Sequence, residues 1–78
     1  DGSIPSGPFD LVLANINRNI LLDQIPAYAR VMAAGGVLLA SGFYTDDLDA
    51  IRRKAEESGL HFSASREEHL WMAVKFIK

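Results

Sequence analysis

A run of apolar residues that ends abruptly in asparagines constrains this chain more than any other feature. Residues 9–14 read Phe-Asp-Leu-Val-Leu-Ala, and Asn15, Ile16 and Asn17 follow them. A run of this length and apolarity predicts a short strand that is covered on both faces. Ligands of open α/β sheets bind just beyond the carboxyl ends of parallel strands. The amide of Asn15, which both donates and accepts hydrogen bonds, therefore stands at a candidate binding edge.

A helical pattern follows this strand. Asn17 or Asn19 is a suitable N-cap, and a proline cannot donate to the preceding turn of a helix. We therefore expect a short helix from residue 18, a break near Gln24, and a second helix with Pro26 in its first turn. The pair Gly35-Gly36 is expected to end that helix, with one glycine in the left-handed conformation. Apolar side chains recur at helical spacing at Leu21, Ile25, Ala29 and Met32.

The middle of the chain repeats the strand-helix pattern. Residues 37–40 predict a second apolar strand, which closes on Ser41-Gly42. Thr45 is a plausible N-cap for a second helix, and Gly59 would end it. Residues 52–54, Arg-Arg-Lys, predict a solvated face because acidic residues flank them. Leu48, Ile51 and Ala55 share the opposite face.

The last part of the chain alternates between apolar and polar residues. Residues 60–65 predict a half-buried strand, residues 66–69 a polar turn, and residues 70–77 a final antiparallel strand. Trp71 is expected to pack in the core or between a helix and the sheet. The element order predicts an α/β fold, β-α-β-α-β-β, with a four-stranded mixed sheet whose last strand forms an antiparallel hairpin with the third.

Composition narrows the class of protein. A chain of 78 residues fits one domain, and its stability should be marginal. The absence of cysteine excludes a disulfide framework and a thiolate metal site, and it suits a cytoplasmic protein. No apolar run has the length of a membrane span. The net charge of −2 argues against a nucleic-acid binder. Residues 1–8, with Gly, Ser and two prolines, predict a flexible linker.

Several residues that could suggest other chemistry have plainer interpretations. Gly35-Gly36 follows a helix and precedes a strand, the reverse of the order in a phosphate-binding loop. Ser41 lacks the glycine two residues earlier that a nucleophile elbow requires. His61 and His69 have no coherent set of carboxylates near them, so no metal site is predicted. Asn15 itself has an alternative role as a loop or helix-cap asparagine.

Three stretches together resemble the second half of a Rossmann-like S-adenosylmethionine-dependent methyltransferase. They are residues 9–16 (Phe-Asp-Leu-Val-Leu-Ala-Asn-Ile), the helix with Pro26, and residues 35–43 (Gly-Gly-Val-Leu-Leu-Ala-Ser-Gly-Phe). The family that methylates large-subunit ribosomal protein eleven is the most similar, and Trp71-Met72-Ala73-Val74 resembles its last strand. The resemblance extends over nearly all of the chain from Phe9 onward. It implies that residues 9–78 are the C-terminal half of a catalytic domain.

The resemblance also implies the roles of individual residues. Asn15 would be the catalytic residue beside the methyl donor and the incoming amine, and Asn15 and Ile16 would bind the cofactor, S-adenosyl-L-methionine. Related amino-methylating enzymes continue from this asparagine into two prolines and an aromatic residue, and this chain has Ile16-Asn17-Arg18 instead. The family's glycine-rich loop and ribose-binding acid have no counterpart here. The resemblance gives the strand order in the sheet as first, second, fourth, third.

Two other classes of function remain open from the sequence. One is a non-catalytic, stand-alone interaction module, and the other is a fragment of a methyltransferase acting on glutamine or on a nucleic-acid base. The resemblance favours a protein methyltransferase that modifies amino groups of a ribosomal protein, and it implies that this chain alone is inactive. The strand over residues 9–14 has a single charge, Asp10, to discourage pairing at its edge, so self-association through that edge is expected.

Overall fold

The chain forms a four-stranded sheet with two helices. The computed structural model describes residues 7–69 and 71–78. The strands are β1 (Phe9–Asn15), β2 (Met32–Tyr44), β3 (His61–Glu68) and β4 (Trp71–Ile77), and the helices are α1 (Arg18–Val31) and α2 (Leu48–Glu57). The predicted element order is confirmed. Most of the predicted linker, residues 1–6, lies outside the described residues, and Gly7 and Pro8 have no regular secondary structure.

The strands lie in the order β1-β2-β4-β3. β1 and β2 are parallel, whereas β4 is antiparallel to both of its neighbours, β2 and β3. The predicted mixed sheet and its strand order are therefore confirmed. Because β1 and β2 are parallel, their carboxyl ends lie at the same edge of the sheet, where Asn15 is paired in register with Ser41.

The core lies between one face of the sheet and the two helices, which contact each other. Alternate residues of β2 and β4 point into this layer, as the period of two requires. The buried side chains are Ala14, Leu21, Ile25, Ala29, Met32, Leu38, Ala40, Phe43, Ile51, Ala55, Leu60, Met72, Val74 and Phe76.

The opposite face of the sheet is not covered by any element that the structure describes. Leu13 is 71% exposed and Trp71 is 44% exposed, and Leu11 and Leu39 are exposed beside them. We call these four residues the uncovered face. The predictions that residues 9–14 are covered on both faces and that Trp71 packs in the core are therefore wrong for the described residues. Both helices lie on the same side, and the apolarity of a strand does not say which segments cover it.

Helix α1 is continuous through Pro26, so the predicted break near Gln24 is wrong. A proline removes one hydrogen bond from the helix, and the burial of the apolar stripe on both sides of Pro26 stabilises the unbroken helix. The helix also ends earlier than predicted, at Val31, and β2 begins at Met32. Gly35 has a φ of +82°, as predicted for one glycine of the pair, but it lies within β2. Its N–H donates to the carbonyl oxygen of Lys78 over 2.9 Å.

Helix α2 begins differently from the prediction. Residues Thr45–Asp47 form a turn of 3₁₀-helix, so Thr45 is not the N-cap, and its hydroxyl donates to Glu67 instead. Gly59, with a φ of +89°, follows the end of the helix as predicted. Arg52 is exposed as predicted, but its guanidinium also lies 4.1 Å from the centre of the Phe62 ring. Such a contact stabilises the packing of α2 on β3.

Strand β3 is longer and more exposed than predicted. Residues 66–68 pair with β4, so the predicted polar turn over residues 66–69 is wrong, and His69 with a φ of +59° lies in a shorter connection. Polar residues suit this position because β3 is an outer strand of the described sheet. A register shift between Phe62 and Ala64 also leaves Ala64 exposed and ends the predicted alternation.

The N-cap of α1 gives a testable result. The Asn17 side chain accepts from the backbone N–H of Ile20 over 3.0 Å, whereas the Asn19 side chain accepts only from exposed Arg18. Asn17→Ala should therefore lower the free energy of unfolding by about 1 kcal/mol. Asn19→Ala, the matched control, should change it by less than about 0.5 kcal/mol. Urea denaturation of the two variants compares them, and equal losses would exclude Asn17 as the cap.

Candidate functional site

The carboxyl ends of β1 and β2 bring together Asn15, Ile16, Ser41 and Gly42, which we call the carboxyl edge. Asn15 ends β1 and its side chain is exposed. The backbone N–H of Ile16 donates to the carbonyl oxygen of Ser41 over 3.2 Å. Ile16 also packs its side chain against the core. The segment after β1 is thus held against β2 while the Asn15 amide stays accessible.

Gly42 shapes this edge through its lack of a side chain. It has a φ of +96° and lies where the pairing of β2 with β4 shifts register, between Ser41 and Phe43. A Cβ atom at this position would lie 2.7 Å from Oδ1 of Asn15 and 3.0 Å from the carbonyl oxygen of Ile16. Contacts this short do not occur without displacement, so the amide of Asn15 occupies space that any other residue at position 42 would fill.

An ion pair joins the segments that follow β1 and β2. Nη1 of Arg18, at the start of α1, lies 3.7 Å from Oδ1 of Asp47. Both groups are partly accessible to solvent, so this pair adds little to stability. It ties the beginning of α1 to the N-cap residue of α2.

An open depression of about 500 Å³ extends from Asn15 and Ser41 across the uncovered face. Its wall is mostly apolar, with Leu13, Leu39 and Trp71, and Lys75 and Arg66 also line it. The polar groups of Asn15 and Ser41 therefore lie at one end of an apolar surface. This arrangement can orient a ligand by hydrogen bonds at one end and contact its apolar part along the sheet.

The chemistry available at the carboxyl edge is hydrogen bonding. Asn15 offers a carbonyl oxygen and an NH₂ group, and Ser41 offers a hydroxyl. Burial raises the pKa of Tyr28, but Tyr28 is on α1, where its hydroxyl donates to Gln24. Neither residue lines the depression. The site is therefore suited to positioning reactants.

Metal binding and membrane insertion find no support in the part of the chain that the structure describes. Across residues 7–69 and 71–78, no three His, Asp or Glu side chains are placed to hold a metal ion. His61 begins β3 and His69 follows it, so the fold does not bring either histidine into a ligand set. No helix within these residues is long and apolar enough to cross a membrane.

The structure places both predicted site residues, Asn15 and Ile16, at the carboxyl edge, and it adds two features that the sequence did not suggest. One is the contact of Gly42 with Asn15, and the other is the ion pair between Arg18 and Asp47. The Ser-Gly pair at the end of an apolar run was a visible signal of a strand end. The contact of Gly42 with Asn15 depends on the parallel register of β1 and β2, which a single sequence does not show.

Comparison with known proteins gives a consistent result. A model of the family described as ribosomal protein L11 methyltransferase (PrmA) matches residues 1–78. The ribosomal protein L11 methyltransferase of Bacteroides fragilis is 55% identical over 71 residues, which cover 91% of this chain and 25% of that protein. The protein of the same name from Porphyromonas gingivalis is 50% identical over 68 residues, 87% of this chain and 23% of that protein.

Solved structures show the same fold. The ribosomal protein L11 methylase of Lactobacillus delbrueckii subsp. bulgaricus has a TM-score of 0.85 at 28% identity, and covers 91% of this chain and 37% of that chain. A methyltransferase from Pyrococcus furiosus has a TM-score of 0.72 at 14% identity, over 95% of this chain and 43% of that one, and shows the fold alone.

The chain spans about a quarter of the length of the curated relatives that it matches. The family model nevertheless covers every residue of it. The relatives are identical at half or more of the aligned positions. On this evidence, the chain belongs to the ribosomal protein L11 methyltransferase family.

Proposed function

We propose that this chain is the C-terminal part of the catalytic domain of a longer protein methyltransferase. The enzyme would transfer methyl groups from S-adenosylmethionine to amino groups of ribosomal protein L11, in the cytoplasm. The observation that carries the proposal is the placement of Asn15, an accessible amide at the carboxyl end of a parallel strand. Its neighbours there, Ile16 and Ser41, belong to a chain of the L11 methyltransferase family.

In this proposal Asn15 acts by positioning. Oδ1 accepts a hydrogen bond from an N–H of the substrate amine, so that the nitrogen lone pair points along the line of transfer. Holding two reactants in this geometry lowers the barrier by several kcal/mol, on the order of what oriented intramolecular reactions gain. The hydrogen bond from the N–H of Ile16 to Ser41 limits movement of the segment that carries Asn15.

The carboxyl edge fits one side of the cofactor. Asn15, at the polar end of the depression, would bind the polar amino-acid part of S-adenosylmethionine through its amide, and the partly buried Ile16 would supply an apolar contact. When bound, the cofactor supplies an electrophilic methyl group on its sulfonium sulfur. The residues of this chain then hold the acceptor nitrogen in line with that group. No residue of the carboxyl edge is suited to act as a general base.

The alternatives from the sequence are less well supported. A stand-alone interaction module is less favoured because the family model for ribosomal protein L11 methyltransferases matches residues 1–78 and the chain spans only about a quarter of the relatives' length. A methyltransferase for glutamine or for a nucleic-acid base would be expected to continue from Asn15 into two prolines, and the chain has Ile16-Asn17 there. The relatives named as L11 methyltransferases favour the ribosomal protein as substrate.

The isolated chain is expected to bind S-adenosylmethionine very weakly, because it provides one wall of the cleft. β1 is an outer strand of the described sheet, so nothing described here lies on the far side of Asn15. Chemical-shift titration of the 78-residue chain with millimolar S-adenosylmethionine tests this. The longer protein serves as the positive control. A dissociation constant in the low micromolar range for the isolated chain would contradict the prediction.

The function itself is tested with the longer protein and purified ribosomal protein L11. Transfer of a labelled methyl group from S-adenosylmethionine to L11 is the expected result. A second ribosomal protein of similar size and charge provides the specificity control. Mass spectrometry of the product then distinguishes amino groups from glutamine side chains, and methylation at glutamine would overturn the proposed substrate group.

A further inference from the structure

Gly42 differs from the other glycines with positive φ in this structure. Gly35, Gly42 and Gly59 have φ values of +82°, +96° and +89°. A Cβ atom added at Gly35 or Gly59 would have nothing within 4 Å. At Gly42 the same atom would lie 2.7 Å from Oδ1 of Asn15 and 3.2 Å from the backbone nitrogen of Ile16. Backbone conformation alone therefore explains Gly35 and Gly59, whereas Gly42 also leaves room for a particular side chain.

We propose that Gly42 is a positioning residue that determines the orientation of the Asn15 amide. This inference rests on the proposed function of Asn15. In the present arrangement Oδ1 of Asn15 lies against the open side of Gly42. A methyl group there would displace the amide before it displaced the backbone, because the end of a side chain moves more easily than two backbone atoms of Ile16.

The surrounding bonds make this displacement specific to the side chain. Ile16 is tied to β2 by the hydrogen bond from its N–H to Ser41, and its side chain packs against the core. The backbone on both sides of the contact is therefore held. The Asn15 side chain is exposed and is the part of the contact that is free to rotate. A substituent at position 42 thus displaces the Asn15 amide most. Its Cβ would also lie 3.0 Å from the carbonyl oxygen of Ile16, which requires a smaller shift of the backbone.

The test compares Gly42→Ala with Gly35→Ala in the longer protein. Both variants force an L side chain into a positive φ, so both should lower the melting temperature. The loss should be larger for Gly42→Ala, because its Cβ would also lie 3.0 Å from the carbonyl oxygen of Ile16, whereas a Cβ at Gly35 has nothing within 4 Å. Gly42→Ala should lower kcat for methyl transfer to L11 at least 10-fold, since small displacements of a positioning group cost up to about 100-fold in rate. Gly35→Ala, at the opposite end of β2 from Asn15, should leave kcat unchanged.

A double substitution separates positioning from general damage. Once Asn15 is alanine, no amide remains to displace, so Asn15→Ala/Gly42→Ala should be no slower than Asn15→Ala. A further readout is the side-chain NH₂ resonance of Asn15, which should shift in Gly42→Ala and stay in place in Gly35→Ala. If Gly42→Ala does not fold, Gly42→Asn replaces it in the same measurements, because asparagine tolerates positive φ better than alanine.

The outcomes distinguish this inference from the function on which it rests. If Asn15→Ala reduces the rate and Gly42→Ala matches Gly35→Ala, the positioning role of Gly42 is overturned and the role of Asn15 stands. If Asn15→Ala leaves the rate unchanged, both proposals are wrong. Losses that add in the double variant would also overturn the inference, since they would show that Gly42 acts through something other than Asn15.

Discussion

Asn15→Ala in the longer protein should lower the rate of methyl transfer to L11 about 100-fold while leaving its melting temperature nearly unchanged. The rate should fall because, in the proposed function, the substrate amine loses the group that orients its lone pair. The melting temperature should be nearly unchanged because Asn15 is exposed at a strand end, and an alanine at position 15 keeps the backbone pairing with Ser41. Such a split between activity and stability is expected of a site residue and is not expected of a structural one.

Steady-state kinetics and thermal unfolding of the same preparations measure the two quantities. Asn19→Ala is the matched control, because it removes an exposed amide from the start of α1, where the side chain accepts only from Arg18. The control should retain both rate and melting temperature. An unchanged rate in Asn15→Ala would remove this residue from the active site and leave it as a loop asparagine.

Phe76→Ala should destabilise the fold by about 3–5 kcal/mol. Phe76 is fully buried on the second-to-outermost strand, β4, and its ring meets that of Phe62 edge-on with 6.2 Å between centroids. Alanine would leave a cavity in the core between the sheet and the helices. A loss of this size equals a large part of the total stability of a small domain, so the isolated chain should be largely unfolded.

Trp71→Ala provides the comparison for Phe76→Ala. Trp71 has a larger ring on the same strand, but it lies on the uncovered face and is 44% exposed. Trp71→Ala should therefore lower the free energy of unfolding of the isolated chain distinctly less than Phe76→Ala does. Circular dichroism in urea measures both variants. Equal destabilisation would mean that the core does not lie on the helix side of the sheet.

Local patterns in the sequence were sufficient for the order of helices and strands along the chain, whereas the strand order in the sheet came from the resemblance to a methyltransferase. Local patterns failed where a long-range contact decides. The alternation over residues 70–77 predicted the strand β4 correctly, because the period of a strand is visible in any sequence. Pro26 predicts a helix break from the sequence because its missing N–H is a local property. The packing of Leu21 and Ile25 that keeps the helix continuous depends on residues far along the chain.

The candidate site was predictable only in part for the same reason. Asn15 was found because a polar residue after an apolar strand is a local signal. Gly42 was not found, because its contact with Asn15 requires knowing that two strands lie side by side and parallel. The wrong expectation for Trp71 has a related cause, since the apolarity of a residue does not indicate which face of the sheet the helices occupy.

β4 is synthesised after the other three described strands, but it occupies an inner position in the sheet. β4 lies between β2 and β3, although β3 precedes it in the chain. Strand β3 therefore has no hydrogen-bonded neighbour in the described sheet until β4 is inserted, and the N–H of Lys78 then donates to Gly36 beside β1. Non-local pairings of this kind carry the entropy of closing a long loop. A nascent chain that has exposed everything up to residue 70 thus still lacks the strand that joins the two halves of its sheet.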